Sequence, residues 1–188
     1  MVEQIAYQTL FQFLQTVGIL VGVFYYIMTI RANQRNQEIA LKNQELTLES
    51  QQQATETRQA QLFMQIYNTW SSRETIDIRK ELQLWEWTDY DDFIRKYGAD
   101  SNPEAWASFQ ELGNFYEGIG VLIKRQLIDP TFVDDLMSGA TLWGWEKFGG
   151  LVREYRIREN VPFLYEFWEY LYNAVSAIAH EQHPELRT

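Results

Sequence analysis

Cysteine is absent from this chain of 188 residues. That removes disulfides, thiolate nucleophiles and thiolate metal sites together, and it carries no signature of an oxidising compartment. Proline is scarce at 4 residues and glycine reaches only 10, so long stretches run without a helix breaker. Histidine is limited to 2 residues, His180 and His183. Three apart on a helix they fall short of a ligand set, and Pro184 marks the end of that helix, so no metal is expected. The His-Glu-Gln-His order also differs from the His-Glu-x-x-His of zinc proteases. No Gly-x-x-x-x-Gly-Lys-Ser/Thr loop is present to cradle a phosphate. Positive charge is in deficit as well: a net charge of −10 speaks against a nucleic-acid binder, whose affinity comes from Lys and Arg clusters.

Charge is missing altogether from Gln4 to Ile30, a run of roughly 27 positions, against the ~20 that a helix needs to cross a bilayer. Its second half, from Val17 to Ile30, is strongly apolar, while Gln4, Gln8, Gln12 and Gln15 interrupt the first. A cleaved signal peptide is disfavoured, because the start is Met-Val-Glu and Tyr25-Tyr26-Ile27-Met28 holds no small-x-small site. Residues 1–30 therefore read as a single transmembrane anchor. Arg31, Arg35 and Lys42 follow the span and only Glu3 precedes it. The positive-inside rule then predicts a cell-membrane protein with the N-terminus outside and the C-terminal domain in the cytoplasm.

Gly18 and Gly22 are spaced as a small-x-x-x-small pair, which lets two helix backbones approach closely in lipid. Gln8, Gln15 and Thr29 extend the face that contains Gly22. From Arg31 to Ala60 the chain is rich in Gln, Asn, Glu and Thr, with no Pro or Gly, and reads as a polar helical stalk over 31–60. A low-complexity linker is the competing reading. One heptad position runs Gly18, Tyr25, Ala32, Ile39, Leu46, Gln53 and Ala60. Four residues later fall Gly22, Thr29, Asn36, Asn43, Ser50 and Thr57, so the seam is free of charge. A repeat of this period suits parallel helices winding together as a coiled coil. The expected homo-oligomer interface is Gln8, Gln15, Gly18, Gly22, Thr29, Ile39 and Leu46.

Beyond Ala60 the pattern is all-α, a compact bundle of about five helices over 61–188. Leu62, Ile66 and Trp70 share a face, and Ser71-Ser72-Arg73-Glu74 reads as a fresh N-cap before Ile76–Trp85. Asp89 to Tyr97 forms a short helix ended by Gly98, and Asn102-Pro103 opens the next. Phe109, Leu112, Phe115, Ile119 and Leu122 give that helix its apolar face. Asp129-Pro130 breaks it, a short acidic segment covers Thr131–Met137, and further helices cover roughly Thr141–Arg158 and Pro162–Ala179.

Aromatic residues reach 15% of the chain. Trp85-Glu-Trp87 and Trp143-Gly-Trp145 each place two indoles on opposing sides of a helix, so both members of a pair cannot be wholly core. Trp87, Trp143 and Trp145 are the expected contacts for a protein partner. Glu117 lies between Gly113 and Gly120 on an otherwise apolar helix and reads as its solvated or paired side. An enzyme built around Glu117 is the sharper alternative.

The segment Leu112-Gly-Asn-Phe-Tyr-Glu-Gly-Ile-Gly-Val-Leu-Ile-Lys-Arg-Gln-Leu-Ile-Asp-Pro130 resembles a prokaryotic family catalogued as a domain of unknown function, over about residues 55–175. The resemblance implies a membrane helix, a polar stalk and a helical domain, and brings no activity, cofactor or site residue. The residues themselves predict a membrane-anchored, self-associating interaction or scaffold protein with no cofactor and no catalysis. A homo-oligomeric pore lined by Gln8, Gln15, Thr29 and Asn36 is the alternative.

Overall fold

The computed structural model of the chain describes residues 2–182, with side chains described from Tyr7 onward. All regular structure among them is helical, in the order α1 (Val2–Trp70), α2 (Arg73–Gln83), α3 (Tyr90–Tyr97), α4 (Pro103–Lys124), α5 (Pro130–Arg158) and α6 (Glu166–Gln182). Two compact units result, Met1–Thr55 and Glu56–Thr188. His183 lies outside the described residues.

The first unit belongs wholly to α1. From Tyr7 to Ile30 every large apolar side chain is exposed, the least exposed being Val17 at 40% and Ile30 at 38%. The threonine hydroxyls of this unit turn back on their own helix: Thr16 donates to the Gln12 carbonyl at 2.8 Å and Thr29 to that of Tyr25 at 2.9 Å. The same bond recurs at Thr47 and Thr55, as a threonine inside a helix commonly makes it.

The second unit contains the last turns of α1 and the five helices after it. Its helix starts are capped as short polar residues before a helix should cap them. Ser72 accepts from the Thr75 amide, Asp89 from that of Asp92, Asn102 from that of Ala105 and Asp129 from that of Thr131. Pro103 and Pro130 sit at the first helical positions, where a missing N–H is harmless. Phe63 and Trp70 carry α1 into the core, and the buried face of α4 runs through Phe109, Leu112, Tyr116, Ile119 and Ile123. Helix α6 packs against both α4 and α5, with Trp168, Leu171 and Val175 wholly buried. Tyr116 donates to the Ala140 carbonyl at 2.8 Å and fastens α4 to α5.

Three boundaries depart from the sequence reading. Helix α5 runs unbroken from Pro130 to Arg158, with no separate segment at Thr131–Met137. Its buried positions, Val133, Met137, Thr141, Trp145, Phe148 and Val152, keep a three-to-four-residue step across the supposed break. Helix α6 starts at Glu166 rather than Pro162, because Tyr165 adopts a left-handed φ of 54° that a helix cannot contain. Helix α2 ends at Gln83, so Trp85 and Trp87 lie on an irregular connection and not on opposite faces of a helix.

Gly139 lies inside α5, between the two segments that the sequence reading separated. It is exposed, and a Cβ built on it meets nothing within 4 Å. Gly139→Ala is expected to stabilise the fold by about 0.5–1 kcal/mol, since the helix interior then loses less backbone entropy. A thermal melt of the full chain in detergent, followed by tryptophan fluorescence, reads this as a raised midpoint. An unchanged or lowered midpoint means that α5 is interrupted there.

Candidate functional site

Gly113, Glu117 and Gly120 follow one another at steps of four and three, so they share one face of α4. That face receives the start of α6. A Cβ on Gly113 would lie 2.5 Å from Cζ of Tyr165, and one on Gly120 would lie 1.9 Å from the Phe167 carbonyl oxygen. Between them, Oε2 of Glu117 accepts the Trp168 amide at 2.7 Å, and the Phe167 amide also points at the carboxylate. These are early amides of α6, which have no partner inside their own helix. Glu117 is therefore the N-cap of α6, supplied from 51 residues away and favoured by the positive end of the helix.

Burial pushes the Glu117 carboxyl above its ordinary range, against the pull of the two amides in the other direction. Burial also raises the phenol of Tyr165, to about 12, with Glu117 adding to the effect. The positive φ of Tyr165 stores strain of order 1–3 kcal/mol, which the ring's seat on Gly113 offsets. With its oxygens engaged at a helix end, Glu117 is accounted for by structure. Glu166 is close enough to add to the rise of the Glu117 carboxyl.

A separate aromatic and cationic face gathers around α5. Trp87 stacks on Phe148 at 5.4 Å between ring centroids, and Trp143 meets the same ring edge-on at 6.2 Å. Lys147 lies between the two indoles, with Nζ 5.5 Å from Trp87 and 5.6 Å from Trp143. It donates to the Gln83 carbonyl at 2.8 Å, and burial draws its pKa down. Beside it, a cleft of roughly 490 Å³ is lined by Trp85, Glu86, Trp87, Thr88, Lys96 and Lys147. Lys96 and Arg95 pair with Asp92 and, with the Thr88 amide, hold its carboxyl well below the usual range.

The three tryptophans expected to meet a partner divide. Trp87 and Trp143 are half-buried and keep surface on this face. Trp145 is only 3% exposed, edge-on to Trp168 at 5.4 Å, and belongs to the core. Arg153 and Arg156 cover its outer side and both bind Glu169 of α6. Trp145 is a core residue here, not a surface one, and its indole lies over Gly149, where a Cβ would come within 2.8 Å of Cε2. Arg79 carried no sequence signal, yet its guanidinium stacks 3.5 Å over the ring of Trp70. Only the fold brings those two residues together, across the turn from α1 to α2.

The proposed seam of α1 belongs to the first unit. Gln8, Gln15, Gly18, Gly22 and Thr29 are exposed, as are Ile39 at 52% and Leu46 at 53%. A Cβ on Gly18 or Gly22 would meet nothing within 4 Å. Thr29 spends its proton on its own helix, which leaves the glutamine amides as the donors of this face. His180 is exposed in the last turn of α6.

Glu117→Ala is expected to cost about 1–2 kcal/mol, the usual loss of a helix cap, while Glu117→Gln, which still accepts an amide bond, costs less. The folded carboxyl holds its proton to higher pH than the unfolded one does. Wild-type stability relative to Glu117→Gln is thus greatest below the ordinary carboxylate range and falls as pH rises through the folded value. Urea titrations of both variants at several pH values measure this, and a difference that grows with pH contradicts it. Gly120→Ala forces the Phe167 backbone away and is expected to cost about 1–3 kcal/mol, the range for overpacking, in the same assay.

A family model described as a domain of unknown function (DUF4760) matches residues 13–175, and the chain belongs to that family. The match begins inside the apolar part of α1, well before the residue-55 limit expected from the motif. No curated protein and no solved structure matches the chain.

Proposed function

We propose that this DUF4760 protein is a membrane-anchored, self-associating docking protein, with α1 as anchor and association element and the helical domain as the part that meets a partner. The observation that carries the reading is the exposure of every large apolar side chain from Tyr7 to Ile30. Each such side chain left in water costs on the order of 1.5–3 kcal/mol, and the sum exceeds the ~5–15 kcal/mol that holds a domain together. Lipid is the cover that suits a helix apolar on all sides, and α1 is long and apolar enough to cross a bilayer. The basic residues Arg31, Arg35 and Lys42 favour a cytoplasmic location for the domain, with the N-terminus outside.

Self-association draws support from the open backbone at Gly18 and Gly22 and from the uncharged seam through Ile39 and Leu46. The half-buried indoles Trp87 and Trp143, with Lys147 between them, suit a protein partner. Light scattering behind size exclusion, over a concentration series in detergent, is expected to give a multiple of the 22.4 kDa chain. Replacing Gly18 and Gly22 together by leucine is expected to shift that mass toward the monomer, because side chains then hold the backbones apart. A wild-type monomer at every concentration overturns the self-association.

A further inference from the structure

Arg79 presents a chemical problem that the fold does not solve. Its guanidinium lies flat on the indole of Trp70, and Nη2 makes only a long hydrogen bond, 3.4 Å, to the Trp70 carbonyl. Nε is buried without a partner, and no carboxylate among the described residues pairs with the group. Arginine stays charged in proteins, so its N–H groups want acceptors. A buried donor left without one is costly, and native structures rarely leave it so. Burial draws the Arg79 pKa down, as it does for a cation lacking a counter-charge.

Arg79 lines a cleft of roughly 410 Å³ whose other walls include Ile76, Lys80, Gln83, Ala140 and Trp143. Lys80 reaches Asp77 only at 3.8 Å, with both side chains largely exposed, and so remains free to turn toward the cleft. Lys147 lies outside this lining but is bonded to the carbonyl of Gln83 and sits beside the ring of Trp143, two residues that form its walls. Stacking on an indole occupies the face of a guanidinium and leaves its edge of N–H groups to grip an oxyanion.

We propose that the Arg79 cleft docks a carboxylate side chain of a partner polypeptide, an Asp or Glu flanked by apolar residues. This rests on the docking reading above and names the chemistry of the partner. The apolar walls at Ile76, Ala140 and Trp143 favour a carboxylate with apolar neighbours over a free, fully hydrated ion. The chain's net charge of −10 repels an extended anionic surface, whereas one or two carboxylates delivered on a short segment meet only the local cations.

The test uses the full chain in neutral detergent and the peptide fluorescein-Gly-Leu-Glu-Leu-Glu-Leu-amide, whose only carboxylates outside the dye are the two Glu side chains, followed by anisotropy. Saturable binding is expected, weakening with added salt. It should be roughly tenfold weaker for the peptide with Gln in place of Glu, and for Arg79→Gln. Arg79→Lys keeps a cation near the end of α1 but loses the planar fork, and an intermediate loss is expected. Should Arg79→Gln fail to fold, as judged by tryptophan fluorescence, Arg79→Lys decides. Equal affinity in wild type and Arg79→Lys overturns the site, as does the absence of saturation. Displacement of the peptide by inorganic phosphate or by anionic phospholipid vesicles at comparable concentration also overturns it, by assigning the cations to a phosphate. Light scattering on the same samples separates the two readings. An oligomer that ignores the peptide removes only the site, and a monomer that binds it removes only the self-association.

Discussion

The start of α6 has no cap of its own, and the domain is arranged around that need. Helix α4 presents Gly113 and Gly120 so that the Tyr165 ring and the Phe167 backbone can come close, and between them Glu117 takes the amide of Trp168. Once α6 is seated there, Trp168 stacks on Tyr116 at 5.1 Å and meets Trp145 at 5.4 Å, so one indole joins three helices. Glu169, one residue on, is gripped by Arg153 and Arg156. Burial alone would raise that carboxyl, but hydrogen bonds from Arg156 and Arg153 hold it low. Small residues, a half-buried acid and a strained tyrosine thus form one joint, in which each part depends on the others.

Local chemistry made most of the elements readable from sequence. The caps at Ser72, Asp89, Asn102 and Asp129 announce their helices with residues adjacent to them, and the core face of α4 follows from simple periodicity. The misreadings occur where the deciding partner is distant in the chain. Helix α5 looks divided between Met137 and Thr141 unless the core positions on both sides are seen to be in phase. The sequence puts the onset of α6 at Pro162, four residues early, because its cap lies in α4 and Tyr165 holds a conformation that no local pattern requires. Glu117 was legible as a paired acid, but the identity of its partner needed the fold.

The candidate surfaces divide along the same line. Trp87, Trp143 and Trp145 were singled out by crowding of indoles in the sequence, and burial separates the third from the other two. Arg79 escaped notice because arginine on a polar helix is commonplace; its singularity is the company it keeps, an indole on one face and no carboxylate. In α1 the order is reversed. There the absence of charge is itself the signal, and folding of the chain leaves the apolar side chains as exposed as the sequence presents them.

The cap that crosses from α4 to α6 has a consequence for synthesis. Helix α4 leaves the ribosome well before the residues that complete it, so the glycine face and the Glu117 carboxylate wait, unfilled, for Tyr165 and Trp168 to arrive. Until then Tyr116 and Trp145 lack the indole that buries them. A chain released early therefore displays aromatic surface of the kind that quality-control machinery binds, while a finished chain hides it in a single closing step. Arrival of α6 is thus the step that closes the aromatic core of this domain.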